Sequence, residues 1–121
     1  MKEYLRTISD FMYVVRRTGS AEYGLRGALR YAASAKLILA SNGLGDSEYS
    51  ALEEAARGAR AALVKLSEVS PAELGRAVGR PHPVKALAVT SLGDADLDKF
   101  LASLEELGSG AVSVVRPRGR R

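Results

Sequence analysis

The chain has no cysteine and no glutamine, a single asparagine, Asn42, and a single histidine, His82. Disulfides and thiolate metal sites are thereby excluded, and one imidazole leaves zinc, haem and Cys-His chemistry almost no ligands to draw on. Asn42 carries the sole side-chain amide, a group that both donates and accepts hydrogen bonds. Purging of the thermolabile residues Asn, Gln and Cys is typical of proteins from hot environments, so the sequence reads as that of a thermophile in which position 42 needs an amide. Asn42-Gly43 is also a common turn dipeptide that tolerates a left-handed backbone. His82 stands between Pro81 and Pro83 with no carboxylate nearby to orient it, and no Gly-x-Ser-x-Gly elbow occurs. No nucleophilic triad is legible, and neither an enzyme nor a cofactor is expected. The acidic residues between Asp94 and Asp98 fit a helix start better than a metal cluster.

Charge is informative once located. Four of the 18 basic residues, Arg116, Arg118, Arg120 and Arg121, lie in the last six positions, and without them the 14 acidic residues balance the remaining basic ones. The pattern is a neutral body with a cationic arm, suited to a phosphate-rich partner or serving as a solubilising terminus. Arg26 and Arg30 stand four apart and give a helix one basic face, or simply a solvated one. With 121 residues, 46% of them hydrophobic, the chain has enough apolar material for one core. It has no apolar run long enough for a membrane span and no secretion signal at its start, so a cytoplasmic protein is expected.

The elements that must position these residues alternate. Leu5, Ile8, Met12 and Val15 make the apolar stripe of a first helix over 4–15, and a second, over 23–33, puts Leu25, Ala28, Leu29 and Ala32 on one side. The brief apolar run 36–40 is a buried strand ending at Asn42-Gly43. A third helix over 47–59, capped by Asp46 or Ser47, leads to a strand over 61–66. Ser70, Pro71 and Glu73 form a strong start for a fourth helix ending near Gly79. A strand over 85–90, a helix over 94–107 and a strand over 111–115 complete the chain. Tyr4, Phe11, Tyr31 and Tyr49 are expected in or near the core.

Three blocks, TGSAEYGLRGALRYA, AKLILASN and ELGRAVGRPHPVKALAV, resemble in order and distance the archaeal and eukaryotic large-subunit ribosomal protein L-thirty-e family. That family belongs to the L-seven-Ae superfamily of kink-turn RNA binders, and the likeness covers about residues 5–92. It implies an α/β fold, a three-layer α/β/α sandwich with a small mixed four-stranded sheet. One domain over 1–115, divergent from about 92, and a basic tail over 116–121 are expected. The implied function is structural: binding rRNA of the large subunit beside neighbouring ribosomal proteins, with no membrane or small-molecule substrate. The residues carried over are Gly24, Leu25 and Arg26 at a helix start, Asn42 after a strand, and Gly79, Arg80, Pro81 and His82 in a loop. Outside the resemblance, Arg30 on the basic helix face and Arg116, Arg118, Arg120 and Arg121 in the tail, which exceeds the family's usual ending, are further candidate RNA contacts on their charge. A helix start offers unpaired N–H groups, Arg a fork for phosphate or guanine, an amide a reader of exposed base edges, and two prolines a preorganised wall. These segments can meet only in a mixed sheet. Where the family commonly carries Lys followed by Ser or Thr, this chain has Gly27 and Ala28, so a diverged non-ribosomal adaptor is the alternative.

Overall fold

The computed structural model describes residues 2–117. Within them a single sheet of five strands, in the order β1-β4-β2-β3-β5, carries helices on both faces. The elements follow in chain order as α1 (Glu3–Thr18), β1 (Ser20–Tyr23), α2 (Leu25–Arg30), a 3-10 turn (Ala32–Ser34), β2 (Leu37–Ala40), α3 (Asp46–Ala59), β3 (Ala62–Leu66), α4 (Pro71–Ala77), β4 (Ala86–Ser91), α5 (Leu97–Leu107) and β5 (Val112–Val115). No helix among them is long and apolar enough to cross a membrane.

The sheet is mixed: β2 and β3 run parallel, while β1 on β4, β4 on β2, and β5 on β3 are antiparallel. The alternation of side chains along a strand divides its residues between the two faces. Leu37 and Leu39, Val64 and Leu66, and Leu87 and Val89 meet α1, α4 and α5 in one core, where Phe11 and Phe100 stack with centroids 3.9 Å apart. Ile38 and Ala40, with Ala86 and Ala88, meet Ala28, Ala32, Leu52 and Ala56 in the other. Alanine dominates that second face, which lets α2 and α3 approach the sheet closely.

Four strands were expected and five are present. The extra strand, β1, spans four residues, pairs on one side only, and slips register between Ser20 and Ala21. Such a short edge strand after Thr18-Gly19 reads in the sequence as a turn. The second helix is also shorter than its periodicity suggests, breaking at Tyr31 into the 3-10 turn. Tyr31 is accordingly exposed at 43%, whereas Tyr4 and Phe11 are buried and Tyr49 half-buried.

Helix starts follow local chemistry. At α4 the Ser70 hydroxyl accepts from the Glu73 N–H (3.1 Å), and the Glu73 carboxylate accepts from the Ser70 N–H (3.0 Å), closing the expected capping box. The cap of α3 is Gly45 rather than Asp46 or Ser47, with its N–H held by the Glu48 carboxylate at 2.9 Å. Asp96 caps α5 through the Lys99 N–H, so the acidic cluster does serve a helix start. The Thr18 hydroxyl accepts from the Asp94 N–H (2.8 Å) and pins the loop before α5 onto the end of α1. In this chain the Thr-Gly pair is therefore an architectural joint.

Candidate nucleic-acid interface

Because β2 and β4 are antiparallel with Ala40 opposite Ala86, one strand ends where the other begins. The Ser41 N–H donates to the Lys85 carbonyl at 2.9 Å, and the Gly24 N–H donates to the Ala86 carbonyl at 2.7 Å. Residues 24 and 42 thus flank the first residues of β4. The loop leading into β4 is 79–85, and the Arg80 guanidinium lies 4.6 Å from the ring centre of Tyr23, the residue before Gly24. Three segments distant in sequence converge on one end of the sheet.

Gly24 has φ of 99°, a conformation that side chains resist, and a Cβ built there meets nothing within 4 Å. Its backbone is therefore open to close approach. The α2 helix that it opens has six residues, so its dipole is small and the uncapped amides of the first turn are the useful groups. Arg26 is exposed there, whereas Leu25 is half-buried against the alanine-lined core. Arg30 lies at the far end of α2, about 9 Å along the axis, and does not share the convergence.

Asn42 is exposed, and its backbone N–H donates to Val69 C=O at 2.8 Å while its Nδ2 donates to Ser67 C=O at 3.3 Å. The amide thus ties the end of β2 to the loop before α4. Neither Asn42 nor Gly43 has the positive φ that their turn signature suggests. Gly43 is needed for space: a Cβ there would lie 2.4 Å from Pro71 Cγ. Beside Asn42 opens a recess of about 430 Å³ that includes Tyr49, Lys65 and Ser67, with the Lys65 ammonium 4.5 Å from the Tyr49 ring centre. Burial raises the pKa of the Tyr49 phenol, and the nearby Glu53 charge adds to the rise.

The loop 79–83 is rigid for definable reasons. The Arg80 N–H donates to Gly75 C=O (2.8 Å) and the Gly79 N–H to Arg76 C=O (3.2 Å), with Gly79 at φ of 79°. These two bonds make a Schellman cap. The His82 carbonyl then lies against Gly75, where a Cβ would approach to 2.2 Å, and the Val84 N–H donates to Pro71 C=O at 2.9 Å. His82 itself is exposed, with Nδ1 3.3 Å from the Pro83 carbonyl oxygen, as are Pro81 and Gly79. The GRPHP sequence is a capped helix end folded back on its own helix.

Arg116 is elsewhere. Val115 pairs with Leu63 near the start of β3, and β3 runs parallel to β2, so Arg116 leaves the sheet at the end opposite Asn42. There it forms an ion pair with Glu105 at 2.9 Å, and that hydrogen bond raises its pKa further. Arg118, Arg120 and Arg121 lie outside the described residues.

No protein-family model matches the chain, and no curated protein matches it. Solved structures do match. A protein of unknown function from Bacillus halodurans C superposes with a TM-score of 0.64 at 18% identity, over 88% of this chain and 99% of that one. The likeness is one of fold, and a fold of this kind does not select a function.

Sequence reasoning overlooked Tyr23, Lys65, Lys85 and Arg16 at this end of the molecule. Lys85 and Lys65 sit at strand ends that only the strand order brings beside Asn42. Lys85 forms a long ion pair with Glu48 at 3.7 Å.

Proposed function

We propose that the chain is a structural RNA-binding protein of the large ribosomal subunit, similar to the L-thirty-e family, which grips a kink-turn-like element. The observation that carries this reading is the meeting of Gly24, Asn42 and the 79–82 loop around the first residues of β4. Each contributes a different capability. Gly24 and the first turn of α2 offer open backbone to a phosphate or base edge, and Arg26 adds a fork. Asn42 extends an amide over a polar recess, where it can pair with a base displaced by the bend. Arg80, Pro81 and His82 form a wall whose ordering cost has been met by folding, and Arg and His planes suit stacking against unpaired bases. Co-sedimentation with large subunits through a high-salt wash tests the assignment. Retention supports it, and a wholly free protein overturns it.

A second reading, an adaptor of L-seven-Ae-like fold acting in another assembly, draws on the first turn of α2. A Cβ at Gly27 would lie 3.4 Å from Glu22 Cβ and 3.9 Å from its carboxylate Oε1. An acid therefore stands where the family commonly places Lys. Ala28 is fully buried, so a hydroxyl there would face the core rather than a partner.

A further inference from the structure

Along the outer edge of β1 runs a notch of about 330 Å³ that extends from Tyr23 and Arg80 towards Ser20 and is closed on one side by Arg16. Two cations from separate elements border it: Arg16 from the last turn of α1, and Arg80 from the loop after α4. Among the described residues neither makes an ion pair, although Lys2, Lys85 and Arg116 all do. Arg16 is set by packing, since its guanidinium atoms would lie 3.0–3.4 Å from a Cβ on Gly79. The glycine that caps α4 is thus also the seat of the Arg16 side chain. The Tyr23 hydroxyl and Arg80 Nε are buried with no hydrogen-bond partner among the described residues. Both atoms belong to residues that line the notch, and buried polar atoms are nearly always paired. Burial raises the Tyr23 pKa, and the charges of Arg80 and Arg16 oppose that rise.

The ordinary account of Arg16 is a helix C-terminus attracting a cation. It covers Arg17 equally well; both guanidiniums lie near the Tyr13 ring, at 6.0 and 5.6 Å, and Arg17 also donates from Nη1 to the Tyr13 hydroxyl at 3.1 Å. It does not explain why Arg16 reaches over Gly79 to border the same notch as Arg80.

We propose that Arg16 and Arg80 form a clamp for one phosphodiester of the RNA strand as it leaves the Gly24–Asn42 edge and passes along β1. The clamp rests on the RNA-binding reading and extends it by a residue from α1. Each guanidinium offers N–H groups in a fork that matches phosphate oxygens, and the Tyr23 hydroxyl adds a neutral donor. The strand crosses over Gly79, where the absence of a Cβ keeps Arg16 low and the track open.

The test measures affinity for a kinked rRNA fragment across a salt series in the full chain, comparing wild type with Arg16→Ala, Arg16→Lys, Arg17→Ala and Asn42→Ala. Arg16→Ala is expected to lower affinity about fivefold to tenfold near 0.1 M salt and to reduce the salt slope by about 1. Arg16→Lys recovers the slope but only part of the affinity. Arg17→Ala, with the same change in charge one residue away, changes affinity less than about twofold. Equal losses for the two Ala variants, or an unchanged slope in Arg16→Ala, overturn the clamp. If Asn42→Ala still weakens binding in that case, the RNA reading survives without it. If wild type binds no kinked RNA, both fall together. Thermal melting of Arg16→Ala close to wild type shows that the loss is not one of folding.

Discussion

The two ends of the sheet differ in how their polar groups are held. At the end holding Gly24, Asn42 and the 79–82 loop, the candidate contact groups are fixed by backbone bonds: 2.7 Å from Gly24, 2.9 Å from Ser41, 2.8 Å from Arg80. At the other end, Arg57, Arg60 and Arg116 border a cleft of about 440 Å³ beside α3 and β5, and Arg116 is paired with Glu105. Only the first end combines an amide, an open glycine backbone and a stiff loop. Charge alone supports attraction to any phosphate-rich surface, whereas convergent polar groups of fixed geometry are what discriminate among them.

The largest expected effect comes from breaking the rigid end without touching its functional groups. Gly75→Ala puts a Cβ 2.2 Å from the His82 carbonyl oxygen, and neither the helix nor the loop backbone can yield cheaply. We expect a stability loss of about 1–3 kcal/mol in denaturant titration. Displacement of the loop should also lower affinity for a kinked RNA about tenfold or more. Retention of full affinity would show that the loop is not part of the surface.

Removing residues 116–121 addresses the opposite end. Because Arg116 lies away from Asn42, the truncation should weaken binding to kinked and straight RNA by similar factors and lower the salt slope by about 2–3 if that many phosphates are contacted. A loss confined to the kinked RNA would bring the tail into the specific surface and dissolve the contrast between the ends.

The smallest effect concerns the cap that holds α4 beneath the loop. The Glu73 carboxyl is held below its ordinary 4.5 by the hydrogen bond from the Ser70 backbone, then by the bond from Lys2. A carboxylate with a depressed folded pKa contributes stability above its unfolded pKa, and the contribution is lost as pH falls through the folded value. Wild type should therefore lose melting temperature between about pH 5 and pH 3 more steeply than Glu73→Gln. Parallel curves would remove this carboxylate from the stability of α4.

Much of the frame was legible because single elements are encoded locally. The stripe Leu5, Ile8, Met12 and Val15 gives α1, the Ser70-Pro71-Glu73 signal gives α4, and short, mostly apolar runs give β2, β3 and β4. Strand β1 was hidden because Ser20–Tyr23 offers one exposed and three half-exposed residues and gains its strand character only from pairing with β4. Asn42-Gly43 does make a turn, without the left-handed backbone the dipeptide tolerates, and Gly43 answers to Pro71, a neighbour 28 positions later that no local rule contains. The site shows the same division. Asn42, Gly24 and Gly79 to His82 were named through the resemblance and lie together at one end of the sheet, whereas Arg16 resembles any cation at a helix end until the fold brings it against Gly79. Arg30 and Arg116 are candidates on charge alone, and the length of α2 separates the first from the other candidates as the strand directions separate the second.

The central claim is that the Asn42 end reads a bent RNA rather than merely attracting phosphate. It is tested most directly by the affinities of wild type and Asn42→Ala for a kinked rRNA fragment and for an unkinked duplex of equal length. The bond from Asn42 to Ser67 is exposed, so the substitution should cost little stability, about 1 kcal/mol. We expect affinity for the kinked fragment to fall about tenfold or more while affinity for the duplex stays within about twofold. Equal losses on the two RNAs would contradict the account.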